Sequence, residues 1–326
     1  MYDSMSNIRG VSQQRIFDIR RPGSEEIADS VGLIGRCVSF EKWQPLIHFG
    51  ISEVASKIDP KAVDYICNAY EGQSPGEDPQ MDVVISQLQQ AVSFFTWLRI
   101  IPTLDAQHDE AGRGKRLGEN EKGLTALQEW KDEENIRRLA FEATDRLLVM
   151  LDEGRFDWWA ECPGCKYRWT NLLRNKREFD RYYVLHNHLV FMYIRPIIDE
   201  VQYSVIRPSV GAERFDRLLK EREKFNQELL EAAQRPLALL VMARAFRRLS
   251  AEILPGGATQ LQMSQPVASR MKADREARES VAAELEDSGR DALRRLEAMV
   301  AELDKSETTD TFFGARHISH SRGFSF

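Results

Sequence analysis

The sequence predicts a mainly α-helical protein: two tandem helical-bundle repeats, each with a small β-hairpin, plus extended terminal arms. Three observations lead there. Apolar residues recur at helical spacing over most of the chain. One octamer appears twice, as FEKWQPLI from Phe40 and FMYIRPII from Phe191, with Phe40/Phe191, Pro45/Pro196 and Ile47/Ile198 each 151 residues apart (191 − 40). The elements after each octamer then follow the same order, which chance periodicity explains poorly.

The first 27 residues are polar, with Arg-Pro-Gly at Arg21 to Gly23, and read as an N-terminal arm. The first repeat is placed at residues 28–157. After Pro45, the apolar positions Ile47, Ile51, Val54, Ala55 and Ile58 form the stripe of an amphipathic helix, closed by Asp59-Pro60. A loop rich in Gly, Pro and Ser, Glu71 to Gln80, leads to a strongly hydrophobic helix, Val83 to Ile100. The turn-rich stretch Pro102 to Leu117 follows, and then a long charged amphipathic helix from about Leu124 to Asp152.

Residues 158–171 form a connector carrying Trp158, Trp159, Cys162 and Cys165. The second repeat, 172–303, restates the plan. Ile197, Ile198, Val201, Val205 and Ile206 give the first stripe, and Arg207 to Glu213 the break. The apolar helix Glu228 to Phe246 follows, and Ala91–Leu104 runs alongside Pro236–Leu249 at an offset of 145 (236 − 91) with Arg99 opposite Arg244. A hairpin is expected with Ala251–Leu254 and Thr259–Met263 flanking PGGA, and a long helix from about Pro266 to Leu303, with Met150 opposite Met299. Residues 304–326 lack a helical stripe but carry Phe312, Phe313, Phe324 and Phe326 among basic residues. Such aromatic content is foreign to a disordered tail. It suits either a docking segment for a neighbouring subunit or a strap folded onto its own chain.

Composition bounds the function. A formal charge of −6 supplies no overall attraction to nucleic acid or an anionic membrane, so no specific nucleic-acid binding is expected. The apolar run Leu237–Phe246, flanked by Arg235 and interrupted by Arg244, is too short for a bilayer, so no membrane partner is expected. The start lacks a secretory apolar core, which reads as synthesis inside the cell. Cys162 and Cys165 have the C-x-x-C spacing of a dithiol site, but no βαβ pattern lies beside them. A zinc site would need two more ligands, and His186 and His188 depart from finger spacing. Asp105 and His108 read as turn chemistry. No phosphate-cradling loop or serine elbow occurs. No catalytic, cofactor-binding or metal residue is expected. Candidate partner-binding residues are Phe312, Phe313, Phe324, Phe326, Trp158 and Trp159, although a Trp pair also suits interior packing.

The run from Leu172 to Leu219, then RPLALLVMARAFRRL, then the PGGA turn, resembles an uncharacterised family of helical proteins encoded among virion genes of tailed phages. The resemblance covers about Leu172 to Leu303 and extends more loosely to the first repeat, where Trp43, Gln44 and Pro45 replace the Ile-Arg-Pro and Gly211 has no equivalent. It implies a non-enzymatic neck component: a head-to-tail connector or adaptor, present as a homo-oligomeric ring and touching portal and other neck or tail proteins. Such a protein resides in the virion after assembly in the bacterial cytoplasm. The alternatives are a monomeric or dimeric intracellular helical adaptor or regulator, and an enzyme using Cys162 and Cys165.

Overall fold

A computed structural model of the chain describes residues 14–32, 35–36, 38–109, 112–115, 125–154, 156–222, 224–249, 259–264, 267–272 and 275–314. The chain is mainly helical and divides into two compact units, Met1–Lys166 and Tyr167–Phe326.

In the first unit, a segment from Gln14 to Pro22 leads into α1 (Gly23–Val31), α2 (Phe40–Trp43), a 3-10 turn (Gln44–Leu46) and α3 (Ile47–Lys57). Then come α4 (Pro60–Gly72), the 27-residue α5 (Pro79–Asp105), the ribbon of β1 (Ala106–Asp109) with β2 (Gly112–Lys115), and α6 (Ala126–Glu153). Sequence chemistry sets the ends. Asp59 caps α4, its carboxylate accepting from the backbone N–H of Lys61 and Ala62, with Pro60 at the first helical position. Thr125 and Gln128 form a reciprocal capping box on α6. The stripe residues Ile47, Ile51, Val54 and Ile58 of the α3 segment are buried, and α3, α1 and α6 all pack on α5. At Gly50 a Cβ would lie 2.6 Å from the Val92 carbonyl oxygen, so the close approach of α3 to α5 requires glycine.

α7 (Asp157–Glu161) and α8 (Pro163–Thr170) follow. The expected connector is thus mostly helical, and Trp159, Cys162 and Cys165 are buried. Their burial inside a packed body, not a loop, answers to their largely apolar side chains.

The second unit holds α9 (Lys176–Phe179), α10 (His188–Val201), a π-helical turn (Gln202–Ile206), α11 (Arg207–Val210), α12 (Ala212–Lys220) and α13 (Gln227–Arg248). β3 (Thr259–Ser264), β4 (Val267–Lys272) and the 40-residue α14 (Arg275–Gly314) complete it. Asn187 caps α10 and Asn226 caps α13. Gly211 ends α11 at φ 89°, a left-handed conformation natural to glycine. α13 packs on α10 and α14, as α5 packs on α3 and α6. Its core joins Ile194, Ile198, Val201, Leu237, Val241 and Leu296.

Three expectations change. The N-terminal arm is packed from Gln14 onward, since Ile16 and Phe17 are buried. β3 pairs with β4, Ser264 opposite Val267, and the long helix expected from about Pro266 begins at Arg275; Pro266 and Ala251–Leu254 lie outside the described residues. The tail expected from residue 304 continues α14 to Gly314. Its apolar stripe stops near Leu303, but helix propagation needs only favourable backbone conformers once a long helix exists.

Each unit also carries an arginine–glutamate pair between its apolar helix and the striped helix packed on it. Arg99 on α5 pairs with Glu53 on α3 at 3.1 Å, and Arg244 on α13 pairs with Glu200 on α10 at 2.8 Å. With Arg99 opposite Arg244, these pairs put Glu53 opposite Glu200, an offset of 147 (200 − 53). The octamer offset of 151 lies four residues away, about one helical turn, a slip that leaves an apolar stripe in place.

Candidate functional site

The Cys-Pro-Gly-Cys segment sits on the start of α4. Asp59 Oδ2 accepts from the Gly164 N–H at 2.7 Å while Oδ1 caps α4. One buried carboxylate therefore anchors the segment and the helix together. Cys162 donates weakly to the Trp158 carbonyl at 3.4 Å. Burial, aided by the charge of Asp59, pushes the Cys162 thiol up to about 11. Burial, with Asp64 and Glu71 nearby, pushes Cys67 up to about 12. Both are neutral thiols near pH 7, the reverse of an activated thiolate. Among the described residues no group of three or more His, Cys, Asp or Glu is gathered as metal ligands. Cys37 lies outside the described residues. His108 falls on β1, in register with Arg113, and not in a turn.

The candidate partner-binding residues separate. Trp159 is 1% exposed and its Nε1 donates to Asp152 at 3.0 Å, so it belongs to the core of its unit and offers no anchor. Trp158 stacks on Tyr65, rings 4.4 Å apart, with Phe156 alongside; Tyr65 is exposed. Phe312 and Phe313 fall in the last turns of α14, and Phe324 and Phe326 lie outside the described residues. The second unit leaves Trp169 62% and Val184 76% exposed.

A second constellation carries no sequence period and occurs in both units. In the first, Gln89 of α5 donates to the Ile16 carbonyl at 2.8 Å, beside buried Ile16 and Phe17. In the second, Gln234 of α13 donates to the Leu172 carbonyl at 2.7 Å, beside buried Leu172 and Leu173. Gln89 and Gln234 are 145 apart (234 − 89), the offset already aligning α5 with α13. Each apolar helix thus holds a strap: two adjacent apolar residues under a buried glutamine.

Each strap is also fixed at its flank. Arg20 bridges to Asp82 at 2.6 Å and donates to the carbonyl of Tyr70 at the end of α4. Arg174 donates to the carbonyl of Leu219 at the end of α12. The Asp18 N–H donates to Glu26, which also accepts from the Tyr70 hydroxyl; the Arg174 N–H donates to Glu178. Burial drives the Tyr70 hydroxyl up and so keeps it a donor. Burial would raise Asp82, but the Gly76 N–H and the Arg20 guanidinium outweigh it and hold the carboxyl below its ordinary range. In the second unit Gln202 completes the hold, accepting from Leu172 N–H at 3.1 Å and donating to Thr170 carbonyl at 3.0 Å. Asp199 nearby is raised by burial against the opposing pull of Asn171 and Arg195. The signal available in sequence was a glutamine two residues ahead of an aligned apolar run, at the same place twice, though in the first copy it stands among Gln87 and Gln90.

Fold and site together define a duplicated helical protein in which each copy clasps an entering strap. The chain belongs to DUF6712, a family of unknown function, whose profile matches it twice, over residues 57–168 and 195–306. No curated protein and no solved structure matches it. Both matched stretches contain the apolar helix and most of the long helix that packs on it, so the internal duplication extends to the family's own unit.

Proposed function

We propose that this chain is a non-enzymatic structural subunit of a tailed-phage virion, a head-to-tail connector that forms a ring and bridges portal and tail proteins. The observation that carries this reading is how the interior polar groups are used. Gln89, Gln234, Gln202 and Asp59 hold the chain's own backbone, while Trp169 and Val184 stand uncovered at the surface. Rigid bodies with apolar side chains outside suit a protein that acts by occupying a place between others. The resemblance of Leu172–Leu303 to helical phage virion proteins points the same way. The small ribbon after each apolar helix belongs, in this reading, to the repeated unit, and residues after Lys305 with Phe312, Phe313, Phe324 and Phe326 form the docking tail. Tyr65 with Trp158 offers a further contact.

Light scattering of the purified chain, and electron microscopy after mixing with the portal of the same virion, test this. Closed rings seated on the portal are expected. A monomer or dimer that ignores the portal would support the alternative, an intracellular helical adaptor. Truncation after Lys305 removes no residue of the described core, which ends at Leu303. It should therefore leave melting unchanged and abolish ring assembly.

A further inference from the structure

We propose that one flank of α6 is a contact between two copies of this chain, joined across a two-fold axis with their α6 helices antiparallel. Trp130 and Phe141 of α6 are 42% and 36% exposed and stand 11 residues apart (141 − 130). That separation is about three helical turns, so both lie on one face, about 16.5 Å apart along the axis. Glu134 and Arg137 fall between them on the same face, at the heptad spacings of 4, 3 and 4, and their side chains also reach solvent. The seam therefore reads aromatic, acid, base, aromatic.

That order selects both the partner and its direction. Set parallel to a second copy, the seam puts Glu134 against Glu134 and Arg137 against Arg137. Set antiparallel, every layer matches: Trp130 meets Phe141, Glu134 meets Arg137, and the two-fold repeats both. Such a face is self-complementary, as a contact between identical patches requires. Its centre gains two ion pairs across the seam, and its ends bury aromatic surface. Within one chain Arg137 and Glu134 are 4.0 Å apart, and Phe141 sets its ring against Phe95 at 5.7 Å. The second unit supplies the comparison. At the offset of 149 that aligns the long helices, the positions of Trp130, Glu134, Arg137 and Phe141 hold Glu279, Ala283, Glu286 and Arg290 (279 − 130). There Arg247 of α13 pairs with Glu279 at 2.8 Å and with Glu286 at 2.6 Å, and Arg290 pairs with Glu286. Charges paired inside the second unit thus occupy α14 where α6 presents aromatics to solvent. The contact goes beyond the ring reading and does not rest on it. A two-fold contact closes on two copies, so it joins subunits before a ring forms or joins one ring to another.

Sedimentation velocity of the full-length chain over about 1–100 μM tests this, with circular dichroism confirming that each variant folds. The chain should associate, and Trp130→Ala should weaken the association. Glu134→Arg and Arg137→Glu, each alone, set like charges face to face and should each weaken it by about tenfold or more. Mixed one to one, these two single variants should associate with each other, because the antiparallel seam then pairs arginine with glutamate at both central layers. The double variant Glu134→Arg/Arg137→Glu should recover association with itself. A chain that stays monomeric throughout, association untouched by either charge reversal, or single variants that fail to rescue each other would each overturn the two-fold contact.

Discussion

Replacing Gln234 with Ala should unseat the second strap, and the structure sets the size of the effect. Gln234 is 1% exposed; its Nε2 donates to the Leu172 carbonyl at 2.7 Å and its Oε1 accepts from the Tyr182 hydroxyl at 3.1 Å. Each bond contributes about 0.5–1.5 kcal/mol net. The truncated side chain also leaves a buried void among Leu172, Leu237 and their neighbours, adding about 1 kcal/mol. The sum is about 2–4 kcal/mol. Gln89→Ala loses the bond to the Ile16 carbonyl and the glutamine's own packing, one side-chain bond against the two of Gln234 among the described residues. That change should cost about 1–2 kcal/mol. Urea unfolding followed by circular dichroism gives the totals, and hydrogen exchange locates them. In Gln234→Ala the Leu172 amide, which donates to Gln202, should lose protection ahead of the α13 core. Unchanged protection at Leu172 with an unchanged urea midpoint would refute the glutamine clasp. Equal cost for both variants would refute the extra contribution assigned to the Gln234–Tyr182 bond.

Asp59→Ala removes the α4 cap and strands the Gly164 N–H; a loss of about 2–4 kcal/mol is expected, with faster native-state alkylation of Cys162 and Cys165 as the direct readout. The raised thiols give an alkaline limit. Folding favours the protonated form of Cys162 and Cys67, so their contribution is fully present below the ordinary thiol value of 9.0 and is lost as pH rises toward 11 and 12. A urea midpoint that does not fall between pH 9 and 11 would count against their burial. Gly211→Ala should cost about 1 kcal/mol or more by forcing φ 89° on alanine, measured by thermal melting. Glu200→Ala breaks the exposed pairs to Arg244 and Arg248 and should cost no more than about 1 kcal/mol, less at high salt.

Much of the helical plan was legible because helices write themselves locally. The stripes of α3 and α10, the apolar run of α13, the capping Asp59-Pro60 and the glycine break at Gly211 all act within a few residues, and the structure has helices and ends there. Duplication was legible as well, since the order of elements survives loop changes. The register of the first stripe was less legible: a four-residue slip keeps an apolar stripe in place, and with Arg99 set opposite Arg244 the ion pairs Glu53–Arg99 and Glu200–Arg244 align at 147 where the octamer aligns at 151. The straps were hidden for a different reason. Ile16-Phe17 and Leu172-Leu173 form no helix or ladder and have no period. They are held by glutamines 73 and 62 residues away, so segment 14–22 read as a polar arm. The cysteines show the same division. Spacing alone permits a dithiol or a metal site, and it is burial of the segment that Gly164 ties to Asp59, with the Asp59 charge nearby, that raises the Cys162 thiol. Local composition thus determined which segments are helices and where they stop. Tertiary packing decided which face meets which, what the polar residues in the apolar helices hold, and which aromatics remain exposed, because those depend on contacts between residues far apart in the chain.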